Sequence, residues 1–199
     1  MSTSLLSDLN ISADLRSWLV TKTLGGFSHK SFFQYYDKQL WMPIKNVLET
    51  IKERTNNSID ELELLSCCYT GELFRVQHYN ERARAHVFPL GCYQSWCTEE
   101  GLDALSRIGG RVLLIRSHAT SDDYAIDTIK LMAYLEPEIW GRLFSGTHEL
   151  SRYVPECEVV MPIKKTNVDN MYVVEATRLT EWKSFGEPIK QEKWFRNNW

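Results

Sequence analysis

The sequence lacks any apolar run approaching the ~20 residues that cross a bilayer as a helix. Its first residues, Met1-Ser2-Thr3-Ser4-Leu5-Leu6-Ser7-Asp8, carry no basic segment and no long apolar core, so no signal peptide is expected. There is no excess of positive charge: 23 Lys and Arg stand against 26 Asp and Glu, a net charge of −3. That balance argues against a generally basic nucleic-acid binder, although a local patch is compatible with it. No Gly-rich phosphate loop is present, because Gly109-Gly110 follows a helical stripe instead of opening one. His148-Glu149 lacks the second His of a zinc-protease helix. Cys92 and Cys97 have no second Cys/His pair to complete a zinc site, so no metal is expected. Ser95 lacks the Gly-x-Ser-x-Gly elbow of hydrolases. Cys97 and His118 have no spacing that marks a nucleophile and its base. Five cysteines, an odd number, point to reduced thiols and a cytoplasmic protein. On that expectation the sequons at Asn10 and Asn56 have no glycosylation role. No repeat or low-complexity linker occurs.

What is there suits one compact unit with a sizeable core. The chain has 199 residues, 43% of them apolar, with seven Trp. Residues 1–68 read as helical. Leu15, Trp18, Leu19 and Lys22 mark one face of a helix that Gly25-Gly26 ends. Phe32, Tyr35, Tyr36 and Leu40 form a second stripe. Pro43 suits the first position of a third helix, with Ile44, Val47, Leu48 and Ile51 as its stripe. Ser58-Ile59-Asp60-Glu61 is a capping-box pattern that opens a helix through Leu62 and Leu65.

From residue 69 to 199 strands and loops alternate. In Glu72–His78, Leu73, Arg75 and Gln77 share one strand face, and Phe74, Val76 and His78 the other. Asn80–His86 reads as a polar loop. Gly91–Cys97 is a second strand, and Thr98 caps a helix with Leu102, Leu105 and Ile108 as its buried stripe. Arg111–Arg116 is the most apolar strand. Pro137 opens a helix carrying Ile139, Trp140, Leu143 and Phe144, and Ser145–Tyr153 is a loop. Pro155–Pro162 reads as a strand with Glu156 and Glu158 on one face and Cys157, Val159 and Met161 on the other. Asn170–Ala176 is a further strand. The fold class expected is α+β, a helical N-terminal part followed by a mixed β-sheet.

Three strand-borne elements stand in order: Leu73-Phe74-Arg75, then Tyr93-Gln94-Ser95-Trp96-Cys97-Thr98, then Glu156-Cys157-Glu158-Val159-Val160-Met161-Pro162. This order resembles the ADP-ribosyltransferase family of the Arg-Ser-Glu class, over residues 69 to about 178. That family places an Arg, a Ser-x-Ser and a Glu-x-Glu on successive core strands. Val76 stands where a Gly often follows the Arg, and Cys97 where the second Ser stands. The resemblance implies an NAD-binding core at 69–199 and transfer of ADP-ribose from NAD, with release of nicotinamide, to a protein arginine or a nucleic acid. It implies catalytic roles for Glu158, at the ribose, and Glu156, at the acceptor. Arg75 and Ser95 take NAD-binding roles, with Tyr93 or Trp96 as stacking rings. Strand alternation puts Tyr93, not Trp96, on the face of Ser95. Small members of this kind are phage effectors or toxins, and a toxin implies an antitoxin partner. Two alternatives stand beside this: a non-catalytic binding module of the same fold, and an RNA-binding protein using Arg82, Arg84, His86 and the tail Lys193–Trp199.

Overall fold

A computed structural model describes residues 6, 11–21, 34–79, 93–162 and 168–189. In chain order the elements are α1 (Ile11–Thr21), a π-helical turn (Asp37–Trp41), α2 (Met42–Lys52), α3 (Ile59–Leu65), β1 (Cys68–Tyr69), β2 (Gly71–His78), β3 (Tyr93–Cys97), α4 (Gly101–Ser106) and β4 (Arg111–Ala119). There follow β5 (Ala125–Asp127), α5 (Thr128–Leu135), a 3-10 turn (Pro137–Ile139), α6 (Trp140–Phe144), a 3-10 stretch (Glu149–Glu156), β6 (Glu158–Pro162), β7 (Val168–Glu175) and a closing 3-10 stretch (Ala176–Ser184). The chain divides into two units. The first comprises Met1–Tyr69 with Ile126–Val154, and the second Thr70–Ala125 with Pro155–Trp199. Residues 126–154, assigned on sequence to the strand-rich core, thus group with the N-terminal helices.

The first unit is helical for the reasons its stripes give. Leu15, Trp18 and Leu19 of α1 are buried, and the Trp18 ring meets Trp41 edge-on at 5.3 Å. Pro43 falls in the first turn of α2, within one residue of the expected first position, and α2 follows the π-helical turn without a break. Its ring cannot sit over the carbonyl of residue i−4 and it has no N–H to give. The preceding turn widens accordingly, with the Met42 N–H bonded back to Asp37 O, and runs straight into α2. Ile44, Leu48 and Ile51 of α2 face inward. The capping box at α3 forms: Ser58 Oγ accepts from the Glu61 N–H at 3.2 Å, and Glu61 Oε2 accepts from the Ser58 N–H at 2.8 Å. Arg54 also pairs with Glu61. This draws Glu61 inward and sets the helix phase, so Leu64 is buried while Leu62, read on sequence as core, is 55% exposed. The expected Gly25-Gly26 stop and Phe32 lie outside the described residues.

The second unit is built on five strands in the order β6-β3-β2-β4-β7, every neighbouring pair antiparallel. The α+β class therefore holds, but the expected mixed sheet does not. Parallel neighbours need a crossover of a dozen or more residues, usually carrying a helix. Here α4 has only six residues and packs Leu102 against Ala176, Leu179 and Trp182 of the closing 3-10 stretch. Phe74, Val112 and Leu114 of β2 and β4 face the same cluster. β4 is interior and apolar as expected: Val112, Leu113, Leu114 and Ile115 are all buried. α4 begins at Gly101, three residues beyond the expected cap. Thr98 contributes its carbonyl to the Gly101 N–H at 3.1 Å, and the helix has no side-chain cap. Ile108, expected in the buried stripe, lies past the end of this short helix and is 42% exposed.

Candidate functional site

The three sequence elements meet within the second unit. β3 pairs along its whole length with β6, in the register Tyr93↔Pro162, Ser95↔Val160 and Cys97↔Glu158. Opposed residues of an antiparallel pair share a face, so Tyr93, Ser95, Cys97, Val160 and Glu158 lie on one face. The Ser95 hydroxyl donates to Glu158 Oε1. Glu158 is 1% exposed and Val160 fully buried. A carboxylate so deep is retained only with hydrogen-bond partners, because an isolated buried charge is costly.

β2 and β3 pair at one point only, Phe74↔Cys97. Past that point the strands part, and Arg75 bridges the opening. Its Nη1 donates to the Ser95 carbonyl at 2.5 Å, a guanidinium donor where the ladder no longer gives a backbone one. With its amide oxygen turned toward Arg75, Gln77 accepts from Nε at 3.0 Å and Nη2 at 2.8 Å. Gln77 is two residues along the same strand, so alternation delivers both side chains to one face, as the sequence pattern indicated. Burial of the Arg75 guanidinium pulls its pKa down to about 10, and the Glu158 carboxylate works against that fall.

The approach to Glu158 differs from the expected strand. Glu156 ends a 3-10 stretch, Cys157 takes φ +45°, and β6 starts only at Glu158. Strand alternation therefore does not govern Glu156, and its expected place beside Glu158 on one strand face is corrected. Pro155 favours the preceding turn, and the left-handed Cys157 then resets the chain direction. Two contacts hold this corner. The Cys157 carbonyl accepts from the Thr98 N–H at 3.2 Å. The Glu156 carbonyl presses on Gly101, where a Cβ would stand 2.2 Å from the oxygen and 2.8 Å from Cys97 Cβ. Only glycine fits there. Both glutamates come close enough to Cys97 to reinforce the rise in its thiol pKa that burial causes first. Cys97 is thus a protonated, inert thiol at neutral pH.

The two expected stacking rings are interior. Trp96 is 2% exposed and its Nε1 donates to the Met161 carbonyl at 3.1 Å; Tyr93 is 1% exposed. Neither presents a ring face to solvent. Arg82, Arg84, His86 and the tail Lys193–Trp199 lie outside the described residues.

Sequence reading did not single out Gln77, Gly101 or Gln94. Gln94 is fully buried on the face opposite Ser95, and neither of its amide atoms has a hydrogen-bond partner. Alternation carried the signal for Gln77. Nothing local marked Gly101, whose constraint comes from a residue 55 positions later. No group of three or more His, Cys, Asp or Glu able to hold a metal occurs among the described residues, and no helix among them is long and apolar enough to cross a membrane.

No family model matches the sequence, and comparison with curated proteins and with solved structures returns no match.

Proposed function

We propose that this protein is an NAD-dependent mono-ADP-ribosyltransferase that moves ADP-ribose to a macromolecular acceptor, with the second unit as its catalytic part. The observation that supports it is the buried Glu158 carboxylate aligned by the Ser95 hydroxyl on the neighbouring strand. In this reading the bond between ribose C1′ and the nicotinamide nitrogen breaks, and its electron pair leaves with neutral nicotinamide. Positive charge grows at C1′ and its ring oxygen, as in glycoside cleavage. A fixed carboxylate beside that centre stabilises the transition state more than the ground state, where the charge is farther away on the pyridinium ring. Ser95 fixes the rotamer of Glu158, so little reorganisation accompanies the reaction. Arg75 orients the opening between β2 and β3 and supplies the positive charge toward the substrate's phosphates and ribose. Glu156, at the mouth of the corner, takes the proton from the acceptor nucleophile as its bond to C1′ forms. The acceptor is a protein arginine or a nucleic acid. The phage-effector or toxin setting, with its antitoxin, belongs to the same reading.

A second reading is favoured by one observation. The Arg75 guanidinium is engaged by Ser95 and Gln77, as it would be in a scaffold module that no longer binds NAD.

One experiment tests both. The protein is incubated with NAD labelled in the adenosine moiety and with cell lysate, and the products are divided between protease and ribonuclease treatment. Label released by protease identifies a protein acceptor, and label released by ribonuclease an RNA. Glu158→Gln keeps the shape and removes the charge. It lowers transfer about 100-fold or more, the scale of losing one preorganised electrostatic group. Transfer undiminished by that change overturns the mechanism. No NAD cleavage and no calorimetric heat at millimolar NAD establishes the binding module instead.

A further inference from the structure

Six of the seven large apolar side chains found exposed among the described residues belong to the first unit: Tyr35, Met42, Ile59, Leu62, Trp140 and Phe144. One of them, Trp140, lines a cleft of about 470 Å³, which lies between the end of α3 and one face of α5 and is closed by Pro137 and the Trp140 ring. α3 contributes Glu63 and, just past its end, Ser66. α5 contributes Lys130, Ala133 and Tyr134, at the i, i+3 and i+4 spacing that shares a helix face. The Trp140 ring is 47% exposed and meets the Phe144 ring at 4.6 Å. Ile59, 83% exposed, and Leu62, 55% exposed, continue the outward stripe of α3 on which Glu63 and Ser66 lie.

The charges in the cleft are unequal. Lys130 stands 3.7 Å from Asp127, so its charge is offset. Glu63 is exposed and has no ion-pair partner among the described residues. The cleft thus combines one uncompensated carboxylate with an open indole face. A guanidinium satisfies both at once, stacking its plane on the indole and presenting its N–H fork to the carboxylate. The apolar shoulders extend beyond this single anchor, along α3 on one side and to Phe144 on the other. That extent fits a polypeptide better than a small cation. We propose that this cleft docks a protein segment presenting an arginine flanked by apolar side chains. The site is independent of the buried carboxylate of the second unit.

The test uses the full chain and fluorescein-labelled, capped five-residue peptides read by fluorescence polarisation. The central position is Arg, Lys, norleucine or Glu, and the flanks are mixtures of Leu, Ala and Phe. The Arg set is expected to bind at least tenfold tighter than the norleucine and Glu sets, and tighter than the Lys set. Trp140→Ala is expected to weaken the Arg set about tenfold. Glu63→Lys is expected to invert the preference toward the Glu set. Trp140 and Glu63 are both exposed, so the variants keep their fold, which circular dichroism checks. Equal binding of the Arg and Glu sets, insensitivity to Glu63→Lys, or no binding of any set at millimolar protein overturns the proposal. So does concentration-dependent self-association of the unliganded chain that Trp140→Ala abolishes, because the surface then belongs to a second copy.

Discussion

Among the described residues each unit buries one glutamate, and the two serve different ends. Glu61 in the first unit is 7% exposed, and its partners are local: the Ser58 N–H three residues back and Arg54 seven back. Its burial completes a helix N-terminus, whose orphan N–H groups need an acceptor wherever the helix occurs. Glu158 in the second unit is 1% exposed and is met by a hydroxyl 63 positions away. No helix end requires a carboxylate there, since the strand ladder satisfies the backbone of β6. A buried ion that folding does not require is a weak contributor to stability and a strong candidate for chemistry. The surfaces differ in the opposite sense. The first unit turns apolar side chains outward, while the second exposes only Ile108 of that kind among the described residues.

The largest effect comes from breaking the corner that brings the chain to Glu158. Gly101→Ala places a methyl 2.2 Å from the Glu156 backbone oxygen, and neither the end of the 3-10 stretch nor α4 can yield cheaply. Overpacking of this kind costs about 3 kcal/mol. Urea unfolding is expected to show that loss, and any NAD-dependent activity is expected to fall further than the loss of folded protein explains. A change under about 0.5 kcal/mol means the corner is compliant and does not hold Glu158 in place.

How far these features were legible in the sequence follows the range of the forces involved. Helix stripes and the Ser58–Glu61 box depend on neighbours three or four residues apart, and α1, α2 and α3 stand where the pattern put them. The face shared by Leu73, Arg75 and Gln77 followed from alternation. The strand holding Glu158 was found, but its start was placed three residues early, because Pro155 and the left-handed Cys157 act through a corner held by Thr98 and Gly101. Leu62 and Ile108 were assigned to the core by period alone. Glu61 turned the first outward, and the early end of α4 left the second exposed. Long-range constraints of this sort leave no periodic trace in one sequence.

A smaller effect probes the inward polarity of the second unit. Gln94 is buried with both amide atoms unbonded. An unsatisfied buried polar group costs about 1–3 kcal/mol. Gln94→Met has similar length and volume and removes the penalty, so the variant is expected to be more stable by about 1 kcal/mol in urea unfolding. Destabilisation by that amount means the amide is bonded in solution, and the second unit then holds one more satisfied polar group than the contrast assumes.

The smallest effect concerns a partly exposed ion pair of the first unit. Arg16 Nε donates to Glu136 Oε1 at 2.9 Å, its Nη2 pairs with Oε2, and the Ser12 hydroxyl adds a further bond. The Arg16 guanidinium, first among these, holds the Glu136 carboxyl below its usual pKa. A carboxyl depressed in the folded state stabilises above its unfolded pKa of about 4.3, and that contribution disappears as pH falls through the folded value. With Arg16 37% exposed, solvent screens the pair and the effect is modest. Glu136→Gln is therefore expected to lower the urea midpoint slightly at pH 7, by a deficit that shrinks as acidification protonates the parent carboxyl through its lowered pKa. A deficit that does not shrink at all on acidification shows that the carboxylate charge is not what ties Arg16. The first unit would then depend on shape at this contact, as the second does at Gly101.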